Sequence, residues 1–270
     1  MRHRDYDEAI RRLTEALALD PTNAVALRWR SSAFMSESRW DDAIADYDKA
    51  LQGNSMNLNA LLYRGCAYRA KGDFKKTIAD ISAYLKINPT NDVAFKNRAS
   101  AYNCLGEFTN AIADWNEGLR LNPNDALAIA MRGCAYNGAG QYQAALDDYH
   151  HALRLEPKCH QALNCFAWLR ATCPEASFRD GKQAVRLVTY ACLLFHGSRW
   201  EYLDTLAAAL AECGEFGKAI EQENRALEDS KVPKEERQRM LARLKLYRSH
   251  KPYHGQVFSG STLPTARQQP

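Results

Sequence analysis

Eight cysteines and seven histidines are the side chains of this chain best suited to chemistry, so their spacing comes first. Cys66, Cys104, Cys134, Cys159, Cys165, Cys173, Cys192 and Cys213 form no C-x-x-C pair. The one local cluster is Cys159-His160 with Cys165 and Cys173. Its gaps do not suit zinc, which takes ligands paired a few residues apart on a turn. No metal is expected; free, mostly buried thiols are, which suits a reducing, cytoplasmic setting. His150 and His151 are adjacent on a helical stretch, where neighbours point about 100° apart and cannot share one ligand. Asp41-Asp42 and Asp147-Asp148 flank alanine-rich stretches and read as charged outer faces of helices, not as an acid–base pair. No Walker loop, G-x-S-x-G or H-E-x-x-H occurs. Neither enzyme activity, a cofactor nor a small-molecule substrate is expected.

The charged residues that do form a pattern are periodic. Arg30, Arg64, Arg98 and Arg132 stand 34 residues apart, as do Asp46, Asp80, Asp114 and Asp148. Pro89, Pro123 and Pro157 share the step, and so do Phe34, Tyr68, Tyr102 and Tyr136, and Gly72, Gly106 and Gly140. Such a period means stacked supersecondary units. Each unit reads as two helices. In residues 92–125 the first ends at Gly106, a residue able to take the left-handed conformation. The second ends before Asn122-Pro123, since proline disfavours helix just before it. Asn124-Asp125 then offers caps for the next helix.

With unit starts at Ala24, Leu58, Asp92, Ala126 and His160, position 8 is small (Ser31, Gly65, Ala99, Gly133, Ala167) and position 11 aromatic. Position 20 is Ala43, Ala111 and Ala145, with Thr77 departing. On these residues the chain resembles the tetratricopeptide repeat (TPR) family over nearly all of residues 1–228. The resemblance implies an all-α, right-handed solenoid of about fourteen helices with a C-terminal capping helix. Its expected parts are a half repeat (second helix only) at 1–23, repeats at 24–57, 58–91, 92–125 and 126–159, a divergent repeat with a longer loop at 160–199, and a repeat at 200–233. A capping helix at 234–250 and a flexible tail at 251–270 follow. The cap would turn Met240, Leu241, Leu244 and Tyr247 inward. The run Asn164–Pro174 with Arg179-Asp180-Gly181 resembles a variant near the C-terminus of many bacterial TPR proteins, and so suggests a bacterial scaffold.

The family resemblance also implies that first helices line a concave groove. Its expected lining is Arg28, Trp29, Asn59, Tyr63, Arg69, Lys96, Asn97, Ser100, Asn103, Met131, Asn137, Asn164 and Trp168. Amide, basic and aromatic groups of this kind can hold a peptide. Arg28, Arg69 and Lys96 tilt the middle toward acidic peptides, whereas Glu201, Asp204 and Glu212 make the far end acidic. The chaperone-clamping subclass needs residues that Ser100 and Met131 replace, so chaperone binding is not expected. The periodic arginines and aspartates appear together in four units. They are replaced together after His160 by Phe166 and Leu187, and after Trp200 by Leu206 and Gln222. The economical reading is a ladder of structural ion pairs; an arginine stripe for an anionic ligand is the alternative.

The net charge of +4 is uneven: from Asp229 onward nine Lys/Arg face three carboxylates. That admits nucleic-acid binding through a basic C-terminal helix, but the slightly acidic remainder disfavours it. Apolar residues at 46% and charged residues at 25% exclude a wholly disordered chain. No apolar run reaches the ~18 residues of a membrane span, and no signal-peptide core follows Met1. The leading expectation is a non-catalytic protein-interaction scaffold with a protein or peptide partner of acidic character. Alternatives are an interaction module of a larger enzyme or regulator and, third, the nucleic-acid binder. Residues 5–18 match a second helix with no first helix before it. Ile10, Leu13 and Leu17 are then expected to lie uncovered, inviting self-association at the N-terminal edge.

Overall fold

The chain is described by a computed structural model over residues 3–194 and 199–255, with side chains from residue 5. Among these residues there are fourteen α-helices and no strand. They are α1 (His3–Leu19), α2 (Ala24–Ser36), α3 (Trp40–Gly53), α4 (Leu58–Lys71), α5 (Phe74–Ile87), α6 (Asp92–Cys104) and α7 (Phe108–Leu121), then α8 (Ala126–Gly138), α9 (Tyr142–Leu155), α10 (His160–Thr172), α11 (Gly181–Leu194), α12 (Trp200–Glu212), α13 (Phe216–Leu227) and α14 (Lys234–Arg248). No helix among the described residues is long and apolar enough to cross a membrane. The chain divides into two compact units, the boundary falling within α6 between Tyr102 and Asn103. In the first, α2 packs on α3, α3 on α4 and α4 on α5; in the second, α7 on α8, α8 on α9, α10 on α11, α11 on α12 and α12 on α13. This is the stacked-pair architecture of the solenoid that the period predicts.

Local chemistry sets the helix ends. Asn23, Asn57, Asn91 and Asp125 each accept a hydrogen bond from the backbone N–H three residues on, at 2.9–3.1 Å. These are N-caps at a 34-residue interval, each satisfying a donor that the first helical turn leaves open. Gly106 closes α6 with φ near +75°, a conformation costly for a residue with a Cβ. Small residues mark close crossings: a Cβ on Gly133 would stand 2.7 Å from the Tyr149 ring. Thr77, which departs from alanine at its position, is fully buried and donates to the carbonyls of Gly65 and Asp73. That satisfies the hydroxyl where an alanine would need nothing.

Three expectations are corrected. Ile10, Leu13 and Leu17 are not a bare face: Leu17 is buried against Ala26 and Leu27 with Leu13 beside them, and Ile10 joins Phe34, Ala43 and Tyr47. The following helices cover the inner face of α1, so the basis for N-terminal self-association is gone. In α14, Leu241 is 45% exposed and the inward stripe is Glu236, Met240, Arg243, Leu244 and Tyr247. The charged pair is drawn in by other buried charges. Finally, residues 251–255 of the expected tail fold back: Lys251 N–H donates to Leu246 O at 3.0 Å and Gly255 N–H to Thr172 O at 3.1 Å. The rest of that tail, 256–270, lies outside the described residues, as do residues 195–198 near the end of the expected divergent repeat.

Candidate functional site

Three arginines of the periodic set grip an aspartate with two parallel N–H donors. Arg30 meets Asp46 at 2.8 and 2.6 Å, Arg64 meets Asp80 at 2.7 and 2.6 Å, and Arg132 meets Asp148 at 2.8 and 2.7 Å. The aspartates are buried and the arginines largely so. The carboxylate hydrogen bonds raise the pKa of Arg30, Arg64 and Arg132, against the opposing pull of burial. Each guanidinium also reaches the residue 16 places earlier, on the preceding helix. Arg30 bonds Thr14 Oγ1, Arg64 bonds Asp48 Oδ1, Arg98 bonds Ser82 Oγ and Arg132 bonds Asn116 Oδ1. Each lies 5.7–6.0 Å from the aromatic ring one turn on, at Phe34, Tyr68, Tyr102 or Tyr136. The arginine is thus a staple between consecutive helix pairs. Sequence reasoning found the Asp partner and missed the other. The signal was present: Thr14, Asp48, Ser82 and Asn116 are all polar at the same interval. The series continues at His150, which meets the Phe166 ring edge-on at 4.9 Å where the arginine is replaced.

At the C-terminal end another device replaces the ladder. Arg243 of α14 donates Nε and Nη2 to Asp204 of α12 at 2.9 and 3.0 Å, and Nη2 to Glu236 at 2.9 Å. Glu223 of α13 lies 3.7 Å away at 0% exposure, and its carboxyl can hydrogen-bond Asp204 once it carries a proton. Burial, reinforced by the charge of Asp204 and also of Glu236, pushes the Glu223 carboxyl well above the usual range. Three carboxyls around one guanidinium are unfavourable if all are ionised, and a proton on Glu223 relieves that. The Trp168 and Tyr253 rings flank the same guanidinium at 5.3 and 5.7 Å.

The expected groove residues divide sharply. In the first unit Arg28, Trp29, Asn59 and Tyr63 are exposed, with Trp29 at 56% and Tyr63 at 46%. Arg28 and Asn59 line a cavity of 290 Å³ between α2 and α4 together with Ala24, Val25, Tyr47, Ala50, Asn57 and Ala60, and Tyr63 stacks on Tyr47 with ring centroids 6.4 Å apart. Arg28 sits over the Trp29 ring at 4.9 Å. Arg69 is bonded to Asn97 Oδ1 at 2.9 Å and Lys96 to Asp92 at 2.8 Å, so neither amine is turned freely outward. Ser100 is half-buried. Asn97, Asn103, Met131, Asn137, Asn164 and Trp168, expected to face a partner, are buried instead. Asn103 Nδ2, for example, reaches Met131 O at 3.4 Å. The acidic far end is also engaged internally: Asp204 by Arg243, Glu201 by Arg199, and Glu212 by Arg179 and His254.

Other candidates are accounted for by the fold. Cys134, Cys159, Cys165 and Cys173 are buried free thiols. Burial leads the rise in the pKa of Cys159 and Cys173, whereas a hydrogen bond with Cys134 leads it for Cys165, away from nucleophilic thiolate. Among the described residues no group of three metal-ligating side chains is placed to hold an ion. Asp42 takes Arg39 and Asp147 takes Gln143 on outer faces. The basic α14 directs Arg237 to Leu227 O and Asp229 O, Arg239 to Glu236 and Arg243 inward, leaving less cationic surface for a phosphate backbone. The long loop before α11 is a structural tie: Arg170 donates to Phe178 O, Arg179 to Cys173 O and Pro174 O, and Asp180 caps Gln183.

Comparison with known proteins fits this geometry. Tetratricopeptide repeat family profiles match residues 1–57 and 32–92, and residues 126–159. A tetratricopeptide repeat protein from Parabacteroides merdae is similar in structure, with a TM-score of 0.64 over 84% of this chain and 87% of that one, at 22% identity. MamA protein gives a TM-score of 0.54 at 25% identity over 57% of this chain and 84% of that one. The APC/C hetero-tetramer Cut9–Hcn1 gives 0.69 at 16% identity, covering 91% of this chain and 46% of that one. No curated protein matches in sequence.

Proposed function

We propose, because this chain belongs to the tetratricopeptide repeat family, that it is a non-catalytic scaffold whose contact surface is the α2–α4 face of the first unit. Repeats of this family are in general protein-interaction modules. The observation that carries the finer reading is that exposed Trp29 and Tyr63 each meet a residue lining the 290 Å³ cavity, Trp29 under the Arg28 guanidinium and Tyr63 stacked on Tyr47. Among the described residues Arg28 has no ion-pair partner. Its charge is available, its orientation is set by the indole, and Asn57 and Asn59 at the same cavity supply amide donors and acceptors. An apolar side chain can enter between Ala24, Val25 and Ala60 while a neighbouring carboxylate meets Arg28. The ligand class is therefore an acidic protein segment with an aromatic or large aliphatic anchor.

Selection of displayed random 12-residue peptides on the full chain tests this. Enriched sequences should pair Asp or Glu with a large apolar residue, and Arg28→Glu should weaken them more than tenfold. Peptides indifferent to both Arg28→Glu and Trp29→Ala would sink the assignment.

A further inference from the structure

The concave positions of the last two repeats are not empty: the chain itself fills them. Trp168 of α10 is one of the expected groove residues, Thr172 follows one turn later, and Ala208 and Glu212 stand at the same two steps along α12. Tyr253 packs onto the core that includes Trp168 and Ala208, with its ring 6.2 Å from the Trp168 ring and 5.7 Å from the Arg243 guanidinium. Next to it, His254 Nε2 meets Glu212 Oε2 at 2.5 Å, and Gly255 N–H donates to Thr172 O at 3.1 Å. The segment 251–255 has no secondary structure, and Lys251 and His254 are exposed. Its seat is built from fixed parts. Asp204 and Glu236 lock Arg243, and Trp168 is 7% exposed.

The geometry points to a second, so far unassigned peptide site on the α10–α12 face, for an extended segment of the form aromatic–basic–small, which the chain's own Tyr253-His254-Gly255 occupies in cis. Each element of the segment meets a matching group. The aromatic ring finds an indole and a guanidinium held in place. The imidazole finds a carboxylate. The following N–H finds a carbonyl near the end of α10, where backbone acceptors lack helical partners. A ligand bearing these groups competes with an intramolecular segment at high effective concentration, so the site opens only to a partner able to displace it. The site lies wholly within the second unit, and it stands whether or not the α2–α4 face binds a peptide.

The test uses the full chain and a fluorescein-labelled, N-acetylated peptide His-Lys-Pro-Tyr-His-Gly, with the same peptide carrying alanine for tyrosine as control. Tyr253→Ala should bind the tyrosine peptide at least tenfold more tightly than the unaltered chain, and neither protein should bind the alanine peptide. Gly255→Pro removes the N–H to Thr172 and drives a Cβ into the Tyr253 hydroxyl, so it loosens both holds on the segment and should likewise raise peptide affinity and the accessibility of tryptophan to acrylamide. Equal binding to all three proteins, binding to none at millimolar peptide, or indifference to the peptide's tyrosine overturns the proposal. Loss of helical circular dichroism in both variants would also overturn it, because the segment would then be an integral part of the fold and not a displaceable occupant.

Discussion

Trp29 in the first unit and Trp168 in the second are both first-helix residues of a repeat, both assigned to the groove by sequence position, and they have opposite fates. Trp29 is 56% exposed beside an open cavity; Trp168 is 7% exposed beneath Tyr253. The amides follow suit: Asn59 is exposed, whereas Asn137 and Asn164 are buried. A repeat position therefore fixes where a side chain starts, not what it meets. In the second unit, α10 packs against α8 and α12, and residues 243–255 fill what remains. A solenoid must end by covering its last apolar face, and here the cover extends past α14 to lay Tyr253 on Trp168 of α10.

The largest effects should separate the two tryptophans and their surroundings. Trp168→Ala should cost about 3–5 kcal/mol in urea unfolding, as a buried large-to-small change. Arg243→Met should be of the same order, about 3–5 kcal/mol, because it leaves buried carboxylates without their cation. A cost below about 1 kcal/mol for either would place the surroundings of Trp168 in the same class as those of Trp29.

Next come the ladder pairs. Arg132→Met or Asp148→Leu alone should cost about 2–4 kcal/mol, somewhat less than a fully buried pair because the arginine is partly exposed. The double variant should cost less than the sum, with a coupling of about 1–3 kcal/mol. Simple additivity would show that the residues do not act as a pair, and would favour an anionic ligand for the arginines.

Smaller and of definite sign is a pH effect confined to the second unit. The Glu223 carboxyl is raised in the folded chain, so between the ordinary carboxylate range and its folded value the folded state holds the extra proton. Its contribution is fully present below the unfolded pKa and is lost as pH rises through the folded one. The slope it adds is at most about 1.4 kcal/mol per pH unit. Asp204, Glu236, Arg243 and Tyr247 surround it on α12 and α14. Glu223→Gln should flatten that part of the urea midpoint against pH and leave the variant more stable than the natural chain near neutral pH. An unchanged profile would place the proton elsewhere in the cluster. Smallest of all, Trp29→Ala should shift stability by no more than about 0.5 kcal/mol, as surface changes do, while abolishing selection of apolar-anchored peptides.

Much of this was legible before any coordinates. Helix starts at Ala24, Leu58 and Ala126 follow from caps and the repeat period, because those signals act within a few residues. The Arg–Asp pairing was legible because both partners sit on one 34-residue step. Its second arm to Thr14, Asp48, Ser82 and Asn116 was equally periodic, but four different polar side chains at one position do not look like a motif. Nothing local announced the cluster around Arg243. Asp204, Glu223 and Glu236 have no periodic partner, and a charged residue on a basic helix reads as solvated until another helix is packed over it.

By itself, then, the amino-acid order determined the all-helical repeat, the turn and cap positions, the small residues at crossings and the structural arginines. Each rests on interactions within one repeat or between adjacent ones, and those recur at a fixed interval. Tertiary structure alone decided which groove positions stay open, that α1 is covered by the helices after it, and that Tyr253 lies on Trp168. These are contacts between residues tens of positions apart that occur once. Burial, unlike periodicity, is a property of everything packed around a residue, and no window of sequence contains it.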